Sequence, residues 1–176
     1  IDLLISDEFH RAAPGGSGGV KAIGNYAPGM MPSKLAKAQG YAEIIYLDAK
    51  TSTYVEEVGA ANFFCIKDSV LYTPELTGTI LPGITRDSII ALARHMGYEV
   101  VEEKVSAEFA MSADEAFCCG TAAVISPIGS ITHADTKVTY GDGTPGTITK
   151  ALYDKLTGIQ NETEDDMFGW LHEVPL

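Results

Sequence analysis

The sequence predicts a mixed α+β domain, and three observations lead there. Short apolar runs of strand length recur between glycine-rich turns, several segments carry apolar residues at helical spacing, and one pair of runs flanks a tight turn. Neither an all-helical bundle nor an all-strand sandwich accommodates this mixture. The 176 residues fall within the size of one domain, and a hydrophobic fraction of 45% is enough for a sizeable core.

Taken in order, "DLLIS" (2–6) is a strand that opens the chain with no turn or helix ahead of it, as in a chain cut from something longer. Residues 12–29 are rich in Gly and Pro. "PSKLAKAQG" then places Leu35, Ala36 and Ala38 in a helix closed by Gly40. "AEIIYLDA" reads as a buried strand, and "NFFCI" (62–66) and "VLYT" (70–73) flank "KDS" as a hairpin. The Pro74–Gly83 segment is expected to be loop. "TRDSIIALARHMG" gives a helix capped by Thr85, with Ile89, Ile90, Leu92 and Ala93 on one face and a stop at Gly97. "YEVVEEKVS" is the next strand, "SAEFAMSADEAF" a short helix and turn, and "CCGTAAVISPIGSI" a small-residue turn followed by an apolar run. "GDGTPGTITKALYDKLTG" gives a turn and a helix that begins near Pro145 and stops at Gly158.

Twelve basic residues against 24 acidic ones leave a net charge of −12, a field that repels nucleic acid and anionic membranes. No apolar run approaches the roughly eighteen residues of a membrane span, and the first residues lack a basic region leading into an apolar core. A cytoplasmic protein is the expectation. Cys118 and Cys119 are adjacent, poorly placed for an ordinary disulfide with each other, and together with Cys65 read as reduced thiols. His10, His95, His133 and His172 show no ligand spacing with them, so no metal site is expected.

"GGSGGVKAIGNY" (15–26) invites three readings. A phosphate-cradling P-loop fails, because Val20 separates the last glycine from Lys21 and Ala22 stands where a magnesium-binding hydroxyl belongs. A flexible linker and the mounting of a reactive lysine both remain open, beside a plain solvated charge at Lys21. "YVEEVGAANFF" holds adjacent Glu56 and Glu57. On an extended segment they face opposite ways, one inward and one to solvent, and the inward one needs a partner such as a pyridinium nitrogen. "LPGIT" (81–85) and "CGTAAV" (119–124) are each either an ordinary turn or a compact anion site of exposed amides and a hydroxyl.

"GGVKAIGNY", "YLDA" with "VEEVGAANFF", "LTGTILPGITRDSIIALA" and "FCCGTAAVISPIGSI", in that order and spacing, resemble the C-terminal large domain of the branched-chain amino acid aminotransferases. These are pyridoxal-phosphate enzymes of fold type IV. The likeness runs over nearly the whole chain and includes the closing "TGIQNETEDDMFGWL". It implies that residues 1–176 form a pseudo-barrel-like, mixed-sheet, cofactor-binding large domain, with the N-terminal small domain absent from this chain or present as a separate one. It further implies an aldimine between pyridoxal 5′-phosphate and Lys21, a hydrogen bond from Tyr26 to the cofactor's phenolic oxygen, and Glu57 on the pyridine nitrogen. The amides of Ile84 and Thr85, with Thr121, would hold the phosphate, and the amides of Thr121 and Ala122 the substrate carboxylate. The implied reaction moves the amino group of leucine, isoleucine or valine to 2-oxoglutarate, giving glutamate, in a homodimer of complete subunits.

Two other readings share these residues. D-amino acid transaminases and aminodeoxychorismate lyases resemble the same cofactor domain, and a cofactor domain lacking its partner would be a non-catalytic module. The vicinal cysteines read as buried small hydrophobes or as a thiol switch beside Thr121.

Overall fold

The computed structural model of the chain describes residues 1–174. Among these, ten strands, β1 (Asp2–Ser6), β2 (Glu43–Leu47), β3 (Val55–Val58), β4 (Ala61–Lys67), β5 (Val70–Pro74), β6 (Val100–Glu103), β7 (Glu115–Gly120), β8 (Val124–Pro127), β9 (Ser130–His133) and β10 (Thr136–Thr139), form one mixed sheet. Four helices accompany them, α1 (Met30–Ala38), α2 (Ile84–His95), α3 (Ala107–Met111) and α4 (Thr147–Gln160). The expected mixed α+β architecture is thus present. The sheet stays open, running β10-β9-β1-β2-β3-β4-β5-β6, with β7 and β8 branching from β4.

The branch at β4 shapes the molecule. β7 pairs along Asn62–Ile66 on one edge, while the other edge is divided between β3 at Ala61 and Asn62 and β5 at Cys65–Lys67. Because side chains alternate along a strand, Phe63 and Cys65 enter one core and Phe64 and Ile66 another. The first core contains Leu3, Ile45, Val55 and Ile131. The second is closed by α2 and α4, with Phe64 and Phe117 stacked at 4.9 Å between ring centroids. Each such fully buried large apolar side chain contributes about 1.5–3 kcal/mol.

The local readings hold where backbone chemistry is strong. The β4–β5 hairpin turns on two residues, Asp68 and Ser69, both with positive φ (51° and 65°) as a two-residue hairpin with this twist requires. Gly40 and Gly97 follow α1 and α2 with φ of +92° and +87°. On α2, Ile89, Ile90, Leu92 and Ala93 are all buried.

Four expectations need correction. Thr85 does not cap α2: Gly83 is the N-cap, without a side-chain cap bond, and Thr85 lies inside the first turn. Pro74 ends β5, so the loop starts one residue later. Cys118 and Cys119 belong to β7, and the small-residue turn begins after Gly120. Gly158 does not stop α4, which continues to Gln160. Instead Gly158 lets the chain fold back closely, since a Cβ there would meet Glu164 Cγ at 2.5 Å while its carbonyl accepts from Thr163 N at 2.9 Å.

The start of α4 is held from across the sheet. Glu115 on β7 accepts from Ile148 N at 3.1 Å, Thr149 N at 2.8 Å and Thr149 Oγ1 at 2.7 Å. The carboxylate occupies the place that a side chain at the N-cap would take, for a Cβ on Gly146 would lie 2.0 Å from Glu115 Cδ. Glu115→Ala is therefore expected to lower stability by about 2 kcal/mol and Glu115→Gln by about half that, read from urea denaturation midpoints.

Candidate active site

One cross-strand row organises the site. Tyr46 on β2 pairs with Glu57 on β3, Glu57 with Asn62 on β4, and Asn62 with Cys119 on β7. At about 4.8 Å per strand, Glu57 and Cys119 stand roughly 10 Å apart, and the chain passes from Cys119 directly into Gly120 and Thr121. Asn62 also anchors the approach to α2: its Nδ2 donates to Leu81 O at 2.9 Å, and a Cβ on Gly83 would meet its Oδ1 at 2.2 Å. The buried acid, the first turn of α2 and the 121–123 turn therefore share one region of the sheet.

The two glutamates depart from the expected alternation. The register shifts between Tyr46–Glu57 and Leu47–Val55, so β3 carries an extra residue there, a bulge that breaks the period of two. Neither glutamate reaches solvent: Glu56 is 6% exposed and Glu57 2%. Glu57 Oε2 pairs with Arg11 Nε at 2.8 Å, and Oε1 accepts from Leu81 N at 2.6 Å. Arg11 also donates through Nη1 to Thr79 O at 2.8 Å and reaches Gly18 O at 3.4 Å. Desolvation pushes the Glu57 carboxyl up to about 7, opposed by Arg11, the Leu81 amide and Lys21 and reinforced by Glu56.

The glycine stretch is packed, which removes the linker reading. A Cβ on Gly18 would lie 2.4 Å from Thr79 O, and one on Gly19 2.9 Å from Gly78 O. Asn25 staples the turn, with Nδ2 donating to Ser17 O and Val20 O, both at 2.7 Å, and Oδ1 accepting from Ser17 Oγ at 2.6 Å. Lys21 leaves this turn exposed, with its ammonium acting on Glu57 through space. Half-buried Tyr26 lines a cavity of about 190 Å³ together with Arg11, Tyr46, Gly59 and Ala60.

The remaining predicted positions are open. The amides of Ile84 and Thr85 have no acceptor among the described residues, as at any uncapped helix start. Thr121 and Ala122 are exposed in the turn between β7 and β8. The neighbouring thiols differ: Cys118 and Cys119 are buried, and desolvation pushes Cys118 up to about 11 and Cys119 higher, so both behave as small apolar groups rather than a switch. Among the described residues, no cluster of three or more His, Cys, Asp or Glu is arranged to hold a metal ion. Sequence reasoning missed Arg11, Asn62 and Thr79. Arg11 and Thr79 meet Glu57 and Glu56 only across long sequence separations, and Asn62 carried no signal beyond its place in "GAANFF".

Removing Arg11 leaves a buried acid without its cation. The folded Glu57 carboxyl holds its proton above the ordinary value of 4.5, so its contribution is most favourable below that pH and is lost as pH rises through about 7. Arg11→Ala raises this carboxyl further. The variant is expected to lose about 3 kcal/mol at pH 8 and about 1 kcal/mol at pH 5, measured by urea denaturation at both pH values.

The profile of the family described as Amino-transferase class IV matches residues 2–131. Branched-chain-amino-acid aminotransferase 3, chloroplastic, of Arabidopsis thaliana is 50% identical over 170 residues, covering 97% of this chain and 41% of that protein. The Escherichia coli branched-chain amino acid aminotransferase superposes with a TM-score of 0.89 at 40% identity, over 98% of this chain and 55% of the other. The branched-chain amino acid aminotransferase of Thermobaculum terrenum, in its PLP-bound holo form, gives 0.84 at 33% identity, over 93% and 52%. The chain thus spans about half the length of the proteins it matches. With a family profile over most of its length and these likenesses in sequence and fold, the chain belongs to the class IV aminotransferases, and the relatives it matches are branched-chain enzymes.

Proposed function

We propose that residues 1–176 are the cofactor-binding large domain of a branched-chain aminotransferase, completed by an N-terminal small domain in the same chain or a separate one. The observation that carries this reading is the convergence, along the Tyr46–Glu57–Asn62–Cys119 row, of a buried carboxylate, an uncapped helix start and the Thr121 turn. These residues fit pyridoxal 5′-phosphate. Each Glu57 oxygen retains acceptor capacity beyond its bond to Arg11 or Leu81, and the amides of Ile84 and Thr85 lack acceptors among the described residues where a phosphate would be welcome.

When bound, pyridoxal phosphate supplies an electron sink for the Cα–H bond of the amino acid. Glu57 would keep the ring nitrogen protonated, with Arg11 and the Leu81 amide holding the carboxylate in place. Tyr26 would donate to the cofactor's phenolic oxygen. The amides of Ile84 and Thr85, with Thr121, would hold the phosphate, and the amides of Thr121 and Ala122 would orient the substrate carboxylate. Lys21 would hold the cofactor through its amine and would be placed to move a proton at the substrate Cα.

The substrates proposed are leucine, isoleucine or valine with 2-oxoglutarate, giving a branched 2-oxo acid and glutamate in a homodimer of complete subunits. Three free, buried cysteines suit a reducing compartment, either the cytoplasm or the chloroplast that the Arabidopsis relative's name gives for it.

Borohydride reduction of the complete enzyme followed by peptide mass spectrometry is expected to place a reduced pyridoxyl group on Lys21. Absence of that label under saturating cofactor overturns the assignment. Lys21→Ala is expected to lower kcat/KM for leucine by about 10²–10⁴-fold in a coupled glutamate assay.

A further inference from the structure

The bulge in β3 places two acids where a regular strand would present one. Glu56 and Glu57 both turn to the same three-residue segment: the Thr79 hydroxyl bonds Glu56 Oε1, and Leu81 N donates to Glu57 Oε1 at 2.6 Å. Thr79 Oγ1 in turn lies 2.9 Å from Thr77 Oγ1. The segment is fastened from its other sides by Arg11 on Thr79 O and Asn62 on Leu81 O. Glu56 Oε2, by contrast, is buried and meets no hydrogen-bond partner among the described residues. A second carboxyl buried beside the first, with one oxygen unmet, is costly unless the contact made by its other oxygen matters.

We propose that Glu56 is a positioning residue: through the Thr79 hydroxyl it fixes the Thr79–Leu81 segment against β3, setting the Leu81 amide on Glu57 and the first turn of α2 beside the Thr121 turn. Among the described residues Glu56 forms no hydrogen bond to Lys21, Tyr26, Ile84, Thr85 or Thr121, so it acts only through that segment. Desolvation pushes its carboxyl up, toward the neutral form that glutamine imitates and that repels Glu57 least. The inference rests on the cofactor reading above. Bulges next to functional sites commonly re-aim a side chain, and here the extra residue supplies a second grip on the segment that Glu57 holds.

The test uses the complete enzyme, stripped of cofactor and titrated with pyridoxal phosphate, with dissociation constants read from protein fluorescence. Glu56→Ala and Thr79→Val are each expected to weaken binding about tenfold, and the double variant no more than about twofold beyond either, because both remove one bond. Glu56→Gln is expected to stay within about threefold of the parent. A merely structural role would lower denaturation midpoints and leave the dissociation constants of the folded variants unchanged. Parent-like binding in Glu56→Ala and Thr79→Val, or effects that multiply in the double variant, overturns the proposal. Should Glu56→Ala fail to fold, Thr79→Val decides the matter on the same criterion. Glu57→Gln separates the two levels. If it binds like the parent, the cofactor reading falls and Glu56's role with it; if it weakens binding while Thr79→Val does not, the role of Glu56 alone is overturned.

Discussion

The buried pair between Arg11 and Glu57 is the interaction on which the rest of the site depends. One guanidinium reaches the Glu57 carboxylate, the carbonyl of Thr79 and the carbonyl of Gly18, joining three stretches that are far apart in sequence. Removing two charges from water costs several kcal/mol each, and such a pair is tolerable only when its remaining donors and acceptors are satisfied. That condition accounts for the neighbours. Leu81 supplies an amide to the carboxylate, and Gly18 is a glycine because any side chain would collide with Thr79 where the two carbonyls converge on the guanidinium. Glycines that look like a flexible spacer in the sequence are close-packing residues around a cation.

How much of this was legible follows from the range of each interaction. The hairpin at Asp68–Ser69 and the helix stops at Gly40 and Gly97 depend on residues within a few positions of one another, and local rules found them. Gly158 misled those same rules, because what it accommodates is Glu164 folding back from beyond the helix. Thr85 misled them as well, since a hydroxyl beside a helix start resembles a cap until the backbone shows Gly83 in that place. The alternation expected of Glu56 and Glu57 failed for a different reason: a bulge is a property of two strands in register, and one strand's residues do not reveal it. Arg11 had no visible motive at all until Glu57 was placed beside it. The residues of the candidate site were recognisable through resemblance, whereas the groups that hold them in position were not.

Charge presents a contrast of scale. The chain as a whole carries −12, a field that disfavours anions at a distance. At the start of α2 short-range features of the opposite sign stand against it: the amides of Ile84 and Thr85, without acceptors among the described residues, the positive end of a twelve-residue helix, and the ammonium of Lys21, which acts on Glu57. Their influence falls away within a turn or so of the helix. An anionic ligand at this helix start would therefore be recognised by direct contact and not by long-range steering.

The position of β1 sets the order in which the sheet can be completed. Residues 3–6 pair with Glu43–Tyr46 on one side, and residues 2–4 with Ser130–Thr132 on the other, both in parallel register. During synthesis the first of these neighbours emerges about 40 residues after β1, and the second only about 130 residues after it. Until then the strand keeps one row of backbone donors and acceptors unsatisfied, an adhesive edge in a nascent chain. Pairing over so large a sequence separation carries a high loop-closure cost and slows folding, so β9 docking belongs among the late events of assembly.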